Sequence, residues 1–133
     1  MMDVLCPVSE ALGYAPDSLV CPDEVGAGRP APYMLWENLR RLGIESISEV
    51  IKFGDTAADI LEGKNAGCLS VGLIFGSNMM GLSDREYEAL DETGKAQAAM
   101  AARKLYTDAG ADYIIERFTD IPNFIVALKE EAA

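Results

Sequence analysis

Apolar positions along the chain recur in two rhythms, a helical one of about 3.6 residues and a nearly continuous one that suits buried strands. Met34, Leu35, Leu39 and Leu42 share one helix face, with Pro32 suited to the first turn and Gly43 to the stop. The run Glu49-Val50-Ile51-Lys52-Phe53 reads as a strand that leads straight into Gly54-Asp55-Thr56. Residues 57–66 read as a helix closed by Gly67, and residues 68–75 as a strand buried on both faces. Ser83, with Glu86 three positions on, is a capping pattern for a helix over 83–90. An alanine-rich helix over 94–109, a short strand over 113–115 and a terminal helix over 121–131 complete this stretch. Nearer the start, Leu5, Val8 and Leu12 give a helix ended by Gly13. Residues 18–21 read as a strand stopped by Pro22, and 25–32 as a Gly/Pro-rich loop.

Strands alternating with helices predict an α/β domain with a mostly parallel sheet. Ligands of such sheets sit beyond the carboxyl ends of the strands, so the informative residues should follow strands. The length of 133 residues fits one domain, 1–133, and 50% hydrophobic residues supply its core. Net charge is -11, from 22 acidic and 11 basic residues, which argues against nucleic acid and anionic membrane partners. No apolar run approaches the roughly 18 residues of a membrane span, and no signal peptide is visible. Cys6, Cys21 and Cys68 form no CxxC pair and are odd in number, so a reduced, cytoplasmic setting is expected. The chain has no histidine, which excludes Ser-His and Cys-His nucleophilic systems and histidine zinc sites. Chemistry must run on carboxylates, Lys, Arg, Tyr or a hard cation.

Three segments after strands could carry it. In Gly54-Asp55-Thr56-Ala57-Ala58-Asp59, glycine permits a sharp turn and the two carboxylates lie four residues apart on one side of a helix. Such a pair suits Mg²⁺, or alternatively serves only to cap the helix and favour its positive end. In Gly26-Ala27-Gly28-Arg29-Pro30-Ala31-Pro32, Arg29 could neutralise a phosphoryl group, or be a surface arginine in an ordinary turn. The third glycine of a dinucleotide fingerprint is missing there. Gly76-Ser77-Asn78-Met79-Met80-Gly81-Leu82 could border a pocket or simply connect two elements.

Taken together these loops resemble the phosphonoacetaldehyde hydrolase family of the haloacid dehalogenase superfamily, over nearly the whole chain. The Gly28-Arg29-Pro30-Ala31-Pro32-Tyr33-Met34 segment looks like the family's third motif, with Arg29 at its basic residue. Gly54 to Asp59 is similar to the superfamily's GDxxxD motif. Glu62-Gly63-Lys64-Asn65-Ala66-Gly67 and Gly76-Ser77 with Gly81-Leu82 continue the match. The resemblance implies a three-layer sandwich with a mostly parallel sheet and Mg²⁺-dependent cleavage of the carbon–phosphorus bond of phosphonoacetaldehyde, giving acetaldehyde and phosphate. It implies Asp55 as the magnesium ligand, Asp59 as its supporting carboxylate, Gly54 and Thr56 as binding residues, and Arg29 as the group that stabilises the phosphoryl charge.

The family's nucleophile follows a strand as Asp-x-Asp or a close variant, and no such segment is found here; the Schiff-base lysine of its cap domain has no counterpart either. Lys52 and Lys64 lie in the wrong segments for that role. The chain thus resembles the C-terminal half of the family, without the nucleophile strand and the cap, and inactivity by itself is expected. Such a sheet either exposes an edge, favouring a homo-oligomer or completion by the missing N-terminal half, or closes with the 18–21 strand packed against the Val50 strand. A non-catalytic magnesium- or phosphate-binding or assembly domain is the alternative function. A receiver-like domain phosphorylated on Asp55 is a weaker third, since the acidic pair that receivers carry after an earlier strand is not seen.

Overall fold

The computed structural model describes residues 15–76 and 80–132. Three strands, β1 (Ile51–Gly54), β2 (Leu69–Leu73) and β3 (Tyr113–Ile115), form one parallel sheet in the order β1-β2-β3. The register sets Phe53 against Val71 and Val71 against Tyr113, so the alternation of each strand places these three on one face. Lys52, Gly54, Ser70, Gly72 and Ile114 take the other.

Ahead of the sheet lie α1 (Pro22–Val25), α2 (Tyr33–Leu42) and a 3-10 turn (Ile47–Glu49). Helix α3 (Ala57–Ala66) links β1 to β2; α4 (Asp84–Glu88) and α5 (Glu92–Ala109) link β2 to β3; α6 (Ile121–Ala132) follows a 3-10 turn, Phe118–Asp120. Helices α3 and α5 cover the Lys52 face, where Gly63 of α3 abuts Lys52 and Ser70, and Tyr106 of α5 abuts Gly72. Helix α6 covers the opposite face, its Phe124 ring meeting Phe53 and Tyr113 edge-on at 6.0 and 5.3 Å. The expected three-layer α/β arrangement is therefore present, and Ile60, Val71, Ile74, Ala102 and Tyr106 are buried in it.

Sequence dictates the punctuation. Thr56 caps α3 by accepting from the Asp59 amide at 3.2 Å, and Gly67 ends it at φ 94, a left-handed conformation that glycine adopts without penalty. Pro32 sits at the N-cap of α2, and Gly43 ends it at φ 69. Asp91 caps α5 through the Gly94 amide, which starts that helix two residues before the 94–109 expectation. Strand β2 is shorter than the apolar run over 68–75 because Ile74 and Phe75 leave the strand while donating to the Ile115 and Glu116 carbonyls. Asp112 locks β3 to β2: its amide donates to the Ser70 carbonyl, and its carboxylate accepts from the Ser70 amide and from Lys64, all at 2.9 Å.

Trp36 of α2, half-exposed, donates its indole N–H to the Ala66 carbonyl at the end of α3, 3.2 Å away. That carbonyl belongs to the last turn, which the helix itself leaves without a partner.

One expected element does not form. Residues 18–21 do not form a strand. Their polar groups turn instead to α2: Ser18 donates to Asn38 at 2.6 Å, and Arg41 donates to the Leu19 carbonyl at 2.9 Å. A strand exists only by pairing, and among the described residues β1 pairs with β2 alone. The closed-up sheet with the 18–21 segment against β1 is thus not observed. The helix expected to end at Gly13 lies outside the described residues, as do Ser77, Asn78 and Met79.

Tyr106 is fully buried and donates its hydroxyl to the Leu73 carbonyl at 2.6 Å. Tyr106→Phe keeps the ring and removes this bond, so urea unfolding should show a loss of about 1 kcal/mol.

Candidate active site

The turn at the carboxyl end of β1 is organised around Asp59. Gly54 allows the chain to turn there because a side chain at its position would occupy the space of the Asp59 side chain. Asp59 Oδ2 accepts from the Asp55 amide and the Thr56 amide, each at 3.2 Å, and from the Thr56 hydroxyl at 2.8 Å. Its Oδ1 takes Arg29 Nη1 at 2.6 Å and faces Lys52 Nζ at 3.3 Å. Asp59 is 4% exposed, so these five groups replace water almost entirely.

The electrostatics follow. Burial pushes the Asp59 carboxyl upward, but hydrogen bonds from Arg29 and Thr56 and the charge of Lys52 outweigh it and hold the group at about 2. In return the Asp59 bond and charge raise Arg29 above its ordinary value, and burial opposes this only in part. Arg29 is 45% exposed, and its bond to Asp59 uses one of its five N–H donors.

Two further charges complete the cluster. Lys52 reaches across from β1 to Glu62 Oε1 at 2.9 Å, and Glu62 is 1% exposed. Arg29, Lys52 and Glu62 line one cavity of about 290 Å³, together with Asn38, Met34 and Val20. Sequence reasoning passed over this pair. The available signal was a lysine inside an otherwise apolar strand, followed by acids at Asp59 and Glu62, three apart on one helix face.

The structure thus gathers Arg29, Asp59, Thr56 and the Asp55 backbone at one end of the sheet. Both Asp59 oxygens are engaged by protein donors, so Asp59 shapes the turn that carries Asp55 and anchors Arg29. Among the described residues no three His, Cys, Asp or Glu side chains converge as a metal cluster. Asp55, an oxygen donor at the strand end, fits a hard cation that keeps much of its water, as one ligand of several. Gly76, Met80 and Leu82 of the loop after β2 border a separate cavity of about 440 Å³, where Arg117 stacks over Phe75 with 4.7 Å from guanidinium carbon to ring centre.

The chain has relatives among known proteins. Residues 4–67 match the haloacid dehalogenase-like hydrolase family. A phosphonoacetaldehyde hydrolase of Lysinibacillus sphaericus is 42% identical over 134 residues, which take in 100% of this chain and 50% of that protein. One from Parabacteroides distasonis is 43% identical over 122 residues, 92% of this chain and 46% of the relative. A solved structure, a phosphonoacetaldehyde hydrolase-like protein from Oleispira antarctica, superposes with a TM-score of 0.89 at 29% identity, covering 97% of this chain and 47% of that one. The chain spans about half the length of the curated relatives it matches.

Proposed function

Because the chain belongs to the phosphonoacetaldehyde hydrolase family of haloacid dehalogenase-like hydrolases, of whose members it spans about half, we propose that it carries the phosphoryl- and magnesium-binding part of that family's reaction, hydrolysis of a small phosphonate at its carbon–phosphorus bond. The observation that carries this reading is the Asp59 hub, which presents Arg29 and Asp55 together at the carboxyl end of the sheet.

Each residue has a task set by its surroundings. Arg29, fixed through one donor and 45% exposed as a side chain, holds a phosphoryl group by charge-assisted hydrogen bonds. Asp59 orients it and keeps the Gly54-Asp55-Thr56 turn in shape. Thr56 spends its hydroxyl and amide on Asp59 and so fixes the backbone from which Asp55 projects. Asp55 would be one ligand of Mg²⁺. The cation, when bound, would neutralise phosphoryl charge that an acidic chain otherwise repels.

Two measurements test this. Titration calorimetry of Mg²⁺ with inorganic phosphate should show binding to the chain, and Asp55→Asn should weaken the Mg²⁺ step by about tenfold to a hundredfold. Unchanged Mg²⁺ affinity in that variant would remove Asp55 from the site. Assay of acetaldehyde release from phosphonoacetaldehyde should show no turnover by the chain alone, since its sequence contains no Asp-x-Asp nucleophile motif. Turnover abolished by Asp55→Asn would instead mean that another residue or another copy supplies the nucleophile.

A further inference from the structure

The large majority of buried side-chain polar atoms in proteins have a hydrogen-bond partner. Glu62 departs from this: Oε1 is held by Lys52, but Oε2 is buried and accepts no hydrogen bond among the described residues. The unused oxygen belongs to a side chain that lines the same cavity as Arg29, and the charge of Glu62 acts on Arg29 across that space. Arg29 therefore has two candidate anchors, Asp59 at the mouth of the sheet and Glu62 deeper within. A guanidinium that spends one donor among the described residues would gain a bidentate partner by moving inward.

What stands between them is Lys52. Its ammonium takes up Glu62 Oε1 and shares Asp59 Oδ1, so it supplies the positive charge that Glu62 would otherwise draw from Arg29. We propose that Lys52 is a positioning residue: by neutralising Glu62 it keeps Arg29 on Asp59, with the remaining donors of the fork turned to the mouth of the site. The proposal rests on the phosphoryl-binding role of Arg29 argued above. It goes further by assigning a task to the Lys52–Glu62 pair behind it.

A test that reads the partner of Arg29 directly separates the two claims. NMR couplings across hydrogen bonds, from the Arg29 guanidinium nitrogens to side-chain carboxyl carbons, should link Arg29 to Asp59 in the wild-type chain. In Lys52→Met they should link it to Glu62. Lys52→Gln, which keeps a donor for Glu62 but no charge, should shift the same way and guards against a methionine variant that fails to fold. Restoring the Asp59 coupling in Lys52→Met/Glu62→Gln would identify Glu62 as the competing anchor. With Mg²⁺ present, inorganic phosphate should bind about tenfold more weakly to Lys52→Met and regain its affinity in the double variant. A coupling that stays on Asp59 in the folded Lys52 variants overturns the proposal. So does unfolding of both variants, which would leave Lys52 a structural ion-pair partner. A wild-type chain that binds no phosphate would instead refute the anion-binding role of Arg29, and the couplings would still decide where Lys52 holds it.

Discussion

Asp59→Ala should lower the unfolding free energy by about 3–5 kcal/mol, the range for breaking a buried ion pair from one side. Three donors on Oδ2 and two cations on Oδ1 lose their acceptor at once, at a residue only 4% exposed. Asp59→Asn keeps one oxygen and should cost less. The same carboxylate sets an acid limb. Its folded pKa of about 2 lies below the ordinary 3.8, so folding favours the ionised form. The stability this contributes, about 2 kcal/mol, is complete above roughly pH 4 and is lost as the pH falls toward 2. Urea midpoints measured between pH 5 and pH 2 should therefore fall in the wild-type chain, and more shallowly in Asp59→Ala. Parallel slopes would mean that other carboxylates dominate acid unfolding.

Gly63→Ala is the second large effect, and its sign opposes intuition. Gly63 lies inside α3, where alanine would ordinarily stabilise by about 1 kcal/mol through helix propensity. Here an added methyl would sit 3.0 Å from Lys52 Cβ and 3.2 Å from its Cγ, and would overlap the Ser70 hydroxyl. These are atoms close to the backbone of two strands, not the free ends of side chains. Overpacking of this kind costs about 1–3 kcal/mol, and the Ser70 bond to the Ile60 carbonyl is strained as well. Packing should win, giving a net loss of about 2 kcal/mol in urea unfolding at pH 7. A gain in stability would show that α3 can lift from the sheet at little cost.

Those two glycines, Gly54 and Gly63, also show what the sequence could and could not tell. The Ser83 cap and the helix stops at Gly43 and Gly67 were legible, because capping is local chemistry. Helix α3 is found over the residues its pattern predicts, as is the three-residue strand β3. Residues 18–21 misled because apolar content permits a strand without supplying its partner. The motif from Gly54 to Asp59 was visible as a string, yet the division of labour within it was not. Four-residue spacing puts both carboxylates on one side of a helix; it does not reveal that Thr56, Arg29 and Lys52 have already claimed one of them. The pairing of Lys52 with Glu62 was missed for a related reason. Their significance arises where a strand and a helix cross, and no local spacing encodes that crossing.

The loop that bears Arg29 is tied to α3 from outside the charge cluster as well. Asn65 donates to the Pro30 carbonyl at 2.8 Å, and Trp36 rests on Ala66. Trp36 is the single tryptophan of the chain, so its fluorescence comes from one place only: the seam between α2 and α3. Emission that shifts toward the red while far-ultraviolet circular dichroism holds steady would time the release of α2 and its loop as a local opening. The site thus contains its own optical reporter, one that needs no label.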